Sequence, residues 1–200
     1  MTSSSPARER ILDAAATVLS QRGVAGATTR ELARAAGYSE GMLYKYFTDK
    51  QQLFVAVLSE RMPRIELPAA SDRSDLTSSL AGIVSALLSY FTRTFPLSVS
   101  IFSAPDLLAE HRDGVRAHGA GPEGVVPLVV GLLAEEQAAG RIRPDADLEA
   151  AAHLLVGLAF HRAYLAAYEG EMEVTDAADF ALRGIRLLVP ALAPAPDQPS

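Results

Sequence analysis

Thr28-Thr29-Arg30-Glu31-Leu32-Ala33-Arg34-Ala35-Ala36-Gly37-Tyr38-Ser39-Glu40-Gly41-Met42-Leu43-Tyr44-Lys45-Tyr46-Phe47 is the stretch that decides the fold. Thr28-x-x-Glu31 reads as a capping box, in which side chain and backbone satisfy each other's free donors at a helix start. The helix it opens runs from Thr29 to about Ala36. It stops at Gly37, which enters the left-handed region without a Cβ clash. Ser39 is then the N-cap of a third short helix reaching to about Phe47. Upstream, Ile11, Ala15, Val18 and Leu19 recur at i, i+4, i+7 and i+8, one face of a first helix. Ser5-Pro6 supplies its cap and first turn, and Gly23 its stop. Downstream, Thr48-x-x-Gln51 reads as a second capping box and opens a fourth helix that continues to about Met62.

Pro63 and the stretch from Leu67 to Ser74 break the pattern. Asp75 to Phe95 reads as a helix that ends before Pro96, because proline removes a backbone donor and clashes with the preceding turn. Leu97 to Glu110 is irregular or helical, interrupted at Pro105. Asp113 to Gly124, with Gly114, Gly119, Gly121 and Pro122, reads as a loop. Helical spacing returns over Val125 to Ala139, Asp147 to Tyr168 and Thr175 to Val189. The tail beyond Pro190, residues 191–200 with Pro194, Pro196 and Pro199, reads as disordered. The sequence shows no alternating strand and no repeat of 20–50 residues, so the expected class is all-α.

Composition narrows the function. With 49% hydrophobic and 21% charged residues, the 200-residue chain is ordinary for a globular protein. It has no cysteine, which excludes disulfides, thiol catalysis and zinc-finger ligation. None of His111, His118, His153 and His161 form an i, i+4 metal pair, and no nucleophile elbow or phosphate-binding glycine loop is present. An enzyme is therefore not expected, nor a metal or cofactor. No run approaches the roughly 18 uninterrupted apolar residues of a membrane span, and Met1 to Arg10 lacks a secretory apolar core. A cytoplasmic protein without a membrane partner is the expectation. The net charge of −6 argues at first against a nucleic-acid partner. Residues 1–50, however, carry seven Lys/Arg against five acids, a local +2, which leaves −8 on the remainder. Such asymmetry suits a phosphate-binding face on an otherwise acidic protein, although scatter over a solvated surface gives the same count.

Three short helices in fifty residues, with a tight turn from Ala36 to Ser39, match a helix-turn-helix. Here the likeness becomes specific. Ile11-Leu12-Asp13-Ala14-Ala15, Arg22-Gly23, Thr28 to Ala33, Ala36 to Phe47, and Asp49-Lys50-Gln51-Gln52-Leu53 stand in the order and spacing of the TetR family DNA-binding domain, which the segment from Ile11 to Leu53 resembles. The resemblance implies a helix-turn-helix over residues 1–50, a connecting helix over 49–62, and a larger helical ligand-binding and dimerisation domain over 63–190. It also implies a homodimeric transcriptional regulator, most often a repressor, that leaves a palindromic double-stranded operator when a small apolar or aromatic effector binds.

The residues of the motif agree with that role. Thr28 and Thr29 sit where free N–H groups and the positive helix end favour a phosphate. Gly41 on the first turn of the third helix permits close approach to a major-groove edge, and Met42 touches a thymine methyl or fills space. Tyr44, Lys45 and Tyr46 offer two hydroxyls and a cation to the phosphate backbone, and Lys50 opens the fourth helix with another cation. Arg30 and Ser39 complete the expected contact set. Leu32, Leu43 and Phe47 read as core. Tyr38 either packs in the turn or reaches a phosphate, Tyr46 is a contact or a half-buried structural ring, and Arg30 and Arg34 are backbone clamps or solvated charges. Met42 departs from the small polar residue frequent in the family, which shifts base reading toward Gly41, Lys45 and Arg30.

In the larger domain, Leu154, Leu155, Val156, Leu158 and Leu165 leave one long helix apolar over much of its circumference. Phe180, Leu182, Ile185, Leu187, Leu188 and Val189 do the same for the last. Such helices need burial on several sides. The resemblance implies that the pair forms a four-helix bundle across a dimer, with Leu154, Leu158, Leu165, Phe180, Ile185 and Leu188 in the interface; packing inside one chain is the alternative. It likewise implies an effector pocket. The candidate lining is Tyr90, Phe91, Phe95, Phe102, Phe160, His161 and Tyr164, aromatics with a few polar tips, and each also suits an ordinary core.

Overall fold

The computed structural model of the chain describes residues 5–61, 63–66, 75–102, 105–117, 124–171 and 173–195. Met62, the break from Leu67 to Ser74, His118, Gly119, Gly121, Pro122 and the tail positions 196–200, all named in the sequence reading, lie outside them. The described residues form nine helices and no strand, so the class is all-α. In chain order they are α1 (Pro6–Gly26), α2 (Thr29–Ala35), α3 (Glu40–Tyr44), α4 (Lys50–Glu60), α5 (Leu76–Phe102), α6 (Pro105–Ala117), α7 (Val125–Ala138), α8 (Leu148–Tyr168) and α9 (Ala177–Leu192).

Packing divides the chain into two compact units. The first takes Met1–Pro63 together with Thr94–Gly121, and the second Arg64–Arg93 together with Pro122–Ser200. The division falls inside α5, so the segment 94–121 packs with the N-terminal helices although it follows residue 63 in sequence. Ile101 of α5 joins Ile11, Leu12, Leu32, Leu43, Phe47, Leu53 and Phe54 in the core of the first unit, with Leu108 of α6 against it. The second unit is built on a face of α5 carrying Leu80, Ile83, Val84 and Leu87. It meets Val129 and Leu133 of α7, Ala152, Leu155 and Ala159 of α8, and Ala181 and Ile185 of α9.

Local chemistry sets most boundaries. α1 breaks at Gly23 (φ 69°, ψ 175°) before a last short turn to Gly26. α2 ends in a Schellman arrangement: Gly37 (φ 78°) donates its N–H to Arg34 O at 3.0 Å, and Tyr38 donates to Ala33 O at 2.9 Å. A residue with a Cβ is strained at that φ. Asp147 caps α8 by accepting from Ala150 N–H at 2.9 Å.

Several boundaries differ from the sequence reading. α5 does not stop before Pro96 but continues to Phe102. Proline forfeits one backbone bond; the buried Thr92 and Thr94 on one side and the buried Ile101 on the other hold both flanks in packed cores. Asp113 to Ala117 are not a loop but the end of α6. Pro105 stands at its first position, and an internal Gly114 costs a helix only about 1 kcal/mol. α9 runs through Pro190 to Leu192. Leu192 is buried and its carbonyl accepts the Arg143 N–H at 2.8 Å, so tertiary anchoring outweighs the helix-breaking signal. α3 is shorter than expected and ends at Tyr44. The second capping box is displaced by one residue: Asp49, not Thr48, caps α4 through Gln52 N–H at 2.7 Å. The Gln52 side chain returns to Thr48 N–H at 2.6 Å.

Candidate nucleic-acid interface

The helix-turn-helix is locked internally before any ligand arrives. Thr28 Oγ1 accepts from Glu31 N–H at 3.3 Å and donates to Glu31 Oε2 at 3.1 Å, while Thr28 N–H donates to the same carboxylate at 3.2 Å. The backbone bond from Thr28, followed by its hydroxyl, holds the Glu31 carboxyl below the usual carboxylate range. Arg22 adds an ion pair to Glu31 at 2.8 Å. Ser39 Oγ accepts from Met42 N–H at 3.3 Å and so fixes the start of α3. Leu32, Leu43 and Phe47 are fully or almost fully buried, as core residues should be.

Outward from this frame, Thr28, Arg30, Ser39, Gly41, Tyr44 and Lys45 are exposed, and Thr29, Met42 and Lys50 are half-buried. The first N–H groups of α2 have no partner within the helix, which leaves donors beside Thr29 and Arg30. Arg30 is 86% exposed. The nearest atom to a Cβ added at Gly41 is Ser39 Oγ at 3.9 Å, so the surface there is open. Lys50, first residue of α4, lies with Nζ 5.0 Å from the centre of the Phe54 ring, which directs its stem along the helix.

Two residues left open by the sequence have structural partners. Tyr38 packs against the core, with the Arg10 guanidinium 5.2 Å above its ring. Tyr46 is half-buried and its hydroxyl meets Ser5 Oγ at 3.1 Å. Ser5 stands at the N-cap of α1 with Pro6 in the first turn, as expected, but its hydroxyl binds across the unit and makes no cap bond to the helix.

Sequence reasoning missed the groups that tie the helices together. Glu40 Oε1 accepts from Thr29 Oγ1 at 2.9 Å, joining the start of α3 to the start of α2, and its Oε2 lies 3.9 Å from Arg30 Nε. The end of α4 is clamped to α1: Arg8 grips Glu60 with two bonds of 2.8 and 2.5 Å, and Arg61 donates to Asp13 at 2.7 Å and pairs with Glu9. Hydrogen bonding from Arg8 holds the Glu60 carboxyl below its usual range. These partners are 11 to 52 residues apart, so no local spacing announces them.

The second unit contains the other expected sites only in part. Phe91 meets Tyr90 and Phe160 edge-on, each at 5.3 Å between ring centres, and burial raises the Tyr90 hydroxyl above its ordinary value. His161 is exposed, and Tyr164 stacks on Tyr168 at 6.5 Å. Phe95 and Phe102 fall in the first unit, Phe102 72% exposed, so the seven residues do not gather within one unit. On α8 and α9, Leu154 and Leu165 are exposed, and Leu158, Phe180 and Leu188 are half-buried. Ile185 is completely enclosed within its own chain and belongs to the core rather than to an interface. Leu187, at 85% exposure, is the more accessible apolar residue of α9. By length and composition α8 would suffice to cross a membrane, contrary to the sequence expectation that no segment would. Its Arg162 is paired with Asp176 at 2.9 Å, and a third of its most apolar stretch is buried in the chain.

Comparison with known proteins shows what these features are similar to. Residues 11–57 match the family described as bacterial regulatory proteins, tetR family. The HTH-type transcriptional regulator SrpR of Pseudomonas putida is 37% identical over 81 residues, 40% of this chain and 38% of SrpR, so the chain spans less than half of that relative. The HTH-type transcriptional repressor AcnR of Corynebacterium efficiens is 27% identical over 88% of this chain and 92% of its own. A solved TetR-family regulator from Mesorhizobium loti shares the fold at TM-score 0.75 and 18% identity, over 96% of this chain and all of that one. These relatives are named as regulators rather than enzymes. The capped helix-turn-helix thus lies inside the segment that matches the tetR family of bacterial regulatory proteins, and the helical fold around it is shared with the Mesorhizobium loti structure.

Proposed function

We propose that the chain is a sequence-specific transcriptional regulator that binds a palindromic operator as a homodimer and acts as a repressor. The observation that carries this reading is the α2–α3 pair. Its caps and turn are satisfied internally, leaving Thr29, Arg30, Gly41, Tyr44, Lys45 and Lys50 on the outside to meet phosphates and base edges. Repression follows the name of AcnR, a transcriptional repressor to which the chain is similar over most of its length. One helix-turn-helix reads a short stretch of groove, and a two-fold dimer reads two half-sites roughly 34–36 Å apart. The exposed Leu154, Leu165 and Leu187 on α8 and α9 support that pairing. The protein works in the cytoplasm, where operator DNA is found. α8 is a dimer-facing helix, not a membrane span.

A small apolar or aromatic effector releases the DNA. Tyr90, Phe91 and Phe160, which form one aromatic cluster, are the residues that support an effector site. Coupling of about 1–3 kcal/mol, common for allosteric proteins, shifts operator affinity roughly 5- to 150-fold.

Selection of bound molecules from random duplex DNA tests the reading, followed by titration of the enriched duplex at two salt concentrations. A palindrome bound in a salt-dependent way, and weakened by Lys50→Ala and Tyr44→Phe, supports it. Absence of enrichment, with no binding even at low salt, rejects it.

A further inference from the structure

Glu40 stands outside the contact set that the sequence suggests, yet its carboxylate occupies the opening of the helix-turn-helix. We propose that Glu40 is a base-reading residue that selects cytosine at one position of each operator half-site. The inference rests on the DNA-binding reading above and specifies the recognition made by that same surface.

Three observations carry it. Glu40 is the first residue of α3, followed by the exposed Gly41, so no bulk on the next position keeps a base edge away. Its carboxylate is anchored at one end: Oε1 accepts from Thr29 Oγ1 at 2.9 Å. The other oxygen, Oε2, is 3.9 Å from Arg30 Nε, beyond hydrogen-bond length. The side chain is 38% exposed. One oxygen is thus held by the protein and the second is presented as an acceptor.

The chemistry of the major groove then decides the partner. Cytosine offers a lone amino donor there, which suits a carboxylate. Guanine offers two acceptors, N7 and O6, and thymine an acceptor with a methyl group. Adenine pairs its amino donor with the N7 acceptor beside it, which repels the second lone-pair-bearing oxygen. The same charge that attracts cytosine therefore rejects the other three bases, and discrimination by repulsion is how specificity is often enforced. Arg30 alongside reduces the cost of bringing a carboxylate near phosphates, and Thr29 is the positioning residue.

The test is the same selection from random duplexes, run on the full chain, on E40A and E40Q, and on T29V. The native protein should enrich a palindrome with one cytosine per half-site, preferred over other bases by roughly 5- to 150-fold, the range of a single good base contact. E40A should flatten that position while the rest of the site persists. E40Q keeps an acceptor for Thr29 but turns an acceptor into a donor, so preference should move to adenine, the base that glutamine reads. T29V should blunt the cytosine preference without abolishing binding. The unaltered positions of the selected site report that each variant is folded. The same site selected by native protein, E40A and E40Q overturns the inference and leaves DNA binding intact. Failure of the native protein to select any site removes the DNA-binding reading itself.

Discussion

Arg61, the residue that follows α4, donates from Nε to Asp13 Oδ1 of α1 at 2.7 Å and pairs through Nη2 with Glu9, one turn earlier on the same helix. Together with the two-bonded Arg8–Glu60 pair, it makes a clasp of three acids and two arginines between α1 and the end of α4. Exposed pairs are each worth about 0.2–1 kcal/mol, so the clasp depends on being a network. Arg61→Ala removes two contacts and should lower unfolding free energy by about 1 kcal/mol after allowance for solvent screening. Urea denaturation of Arg61→Ala, Asp13→Ala and the double variant measures the coupling. Additive effects would show that the pair contributes nothing.

The clasp also sets an acid limit. Arg8 holds the Glu60 carboxyl below its ordinary 4.5. A carboxyl with a depressed folded-state value stabilises the protein above its unfolded-state value, and that contribution disappears as pH falls through the folded-state value. Stability should therefore be level in this respect above about pH 5 and should decline below about pH 4.5. Glu60→Gln should remove part of the decline and leave the neutral-pH plateau slightly lower. Thermal melts between pH 3 and 7 read both. An acid decline of unchanged steepness in Glu60→Gln would assign the effect to other carboxyls, Glu31 first among them.

A different carboxylate tests the second unit. Glu136 of α7 is completely buried, where Ser79 Oγ donates to Oε1 at 2.8 Å and Arg141 Nε to Oε2 at 2.5 Å. Removing one partner of a buried ion pair leaves an uncompensated charge and costs about 3–5 kcal/mol, whereas apolar replacement of the whole pair is often neutral. Arg141 is solvated, which weakens that penalty, so Arg141→Ala should destabilise the protein less than loss of a fully buried partner would, and Glu136→Leu with Arg141→Leu should recover most of the loss. Calorimetric unfolding compares the three proteins. Equal losses for the single and double changes would mean that packing, not charge, governs the site.

The contrast between these clusters and the motif shows what a sequence reveals. Thr28 and Glu31, Arg34 and Gly37, and Asp147 and Ala150 are three residues apart, so their bonds follow from spacing alone. Pro96 and Pro190 mislead because their local penalty is outweighed by burial of Ile101 and Leu192, a property of the assembled core. The same is true of the candidate site. The outward residues of α2 and α3 are visible as a motif, but the Thr29–Glu40 bond spans 11 residues and the Arg61–Asp13 bond 48, and both exist only after the helices have packed. Ile185 shows the reverse error: apolar periodicity identifies a helix face without saying which residues the chain's own core consumes.

Leu187 separates core from interface on that helix. At 85% exposure it contributes little to burial within one chain, so Leu187→Glu should change the stability of a single subunit by no more than about 0.5 kcal/mol. Leu154 on α8, 61% exposed, is the matching position. If the two helices pair between copies, each glutamate places a charge in an apolar contact, and loss of an interface anchor costs about 2 kcal/mol or more, roughly 30-fold in association. Sedimentation equilibrium should therefore show native dimers and largely monomeric Leu154→Glu and Leu187→Glu proteins with unchanged helical content. Leu128→Glu, an exposed position on α7, serves as the control and should remain dimeric. Dimers that persist in both α8 and α9 variants but dissociate with Leu128→Glu would move the interface to α7.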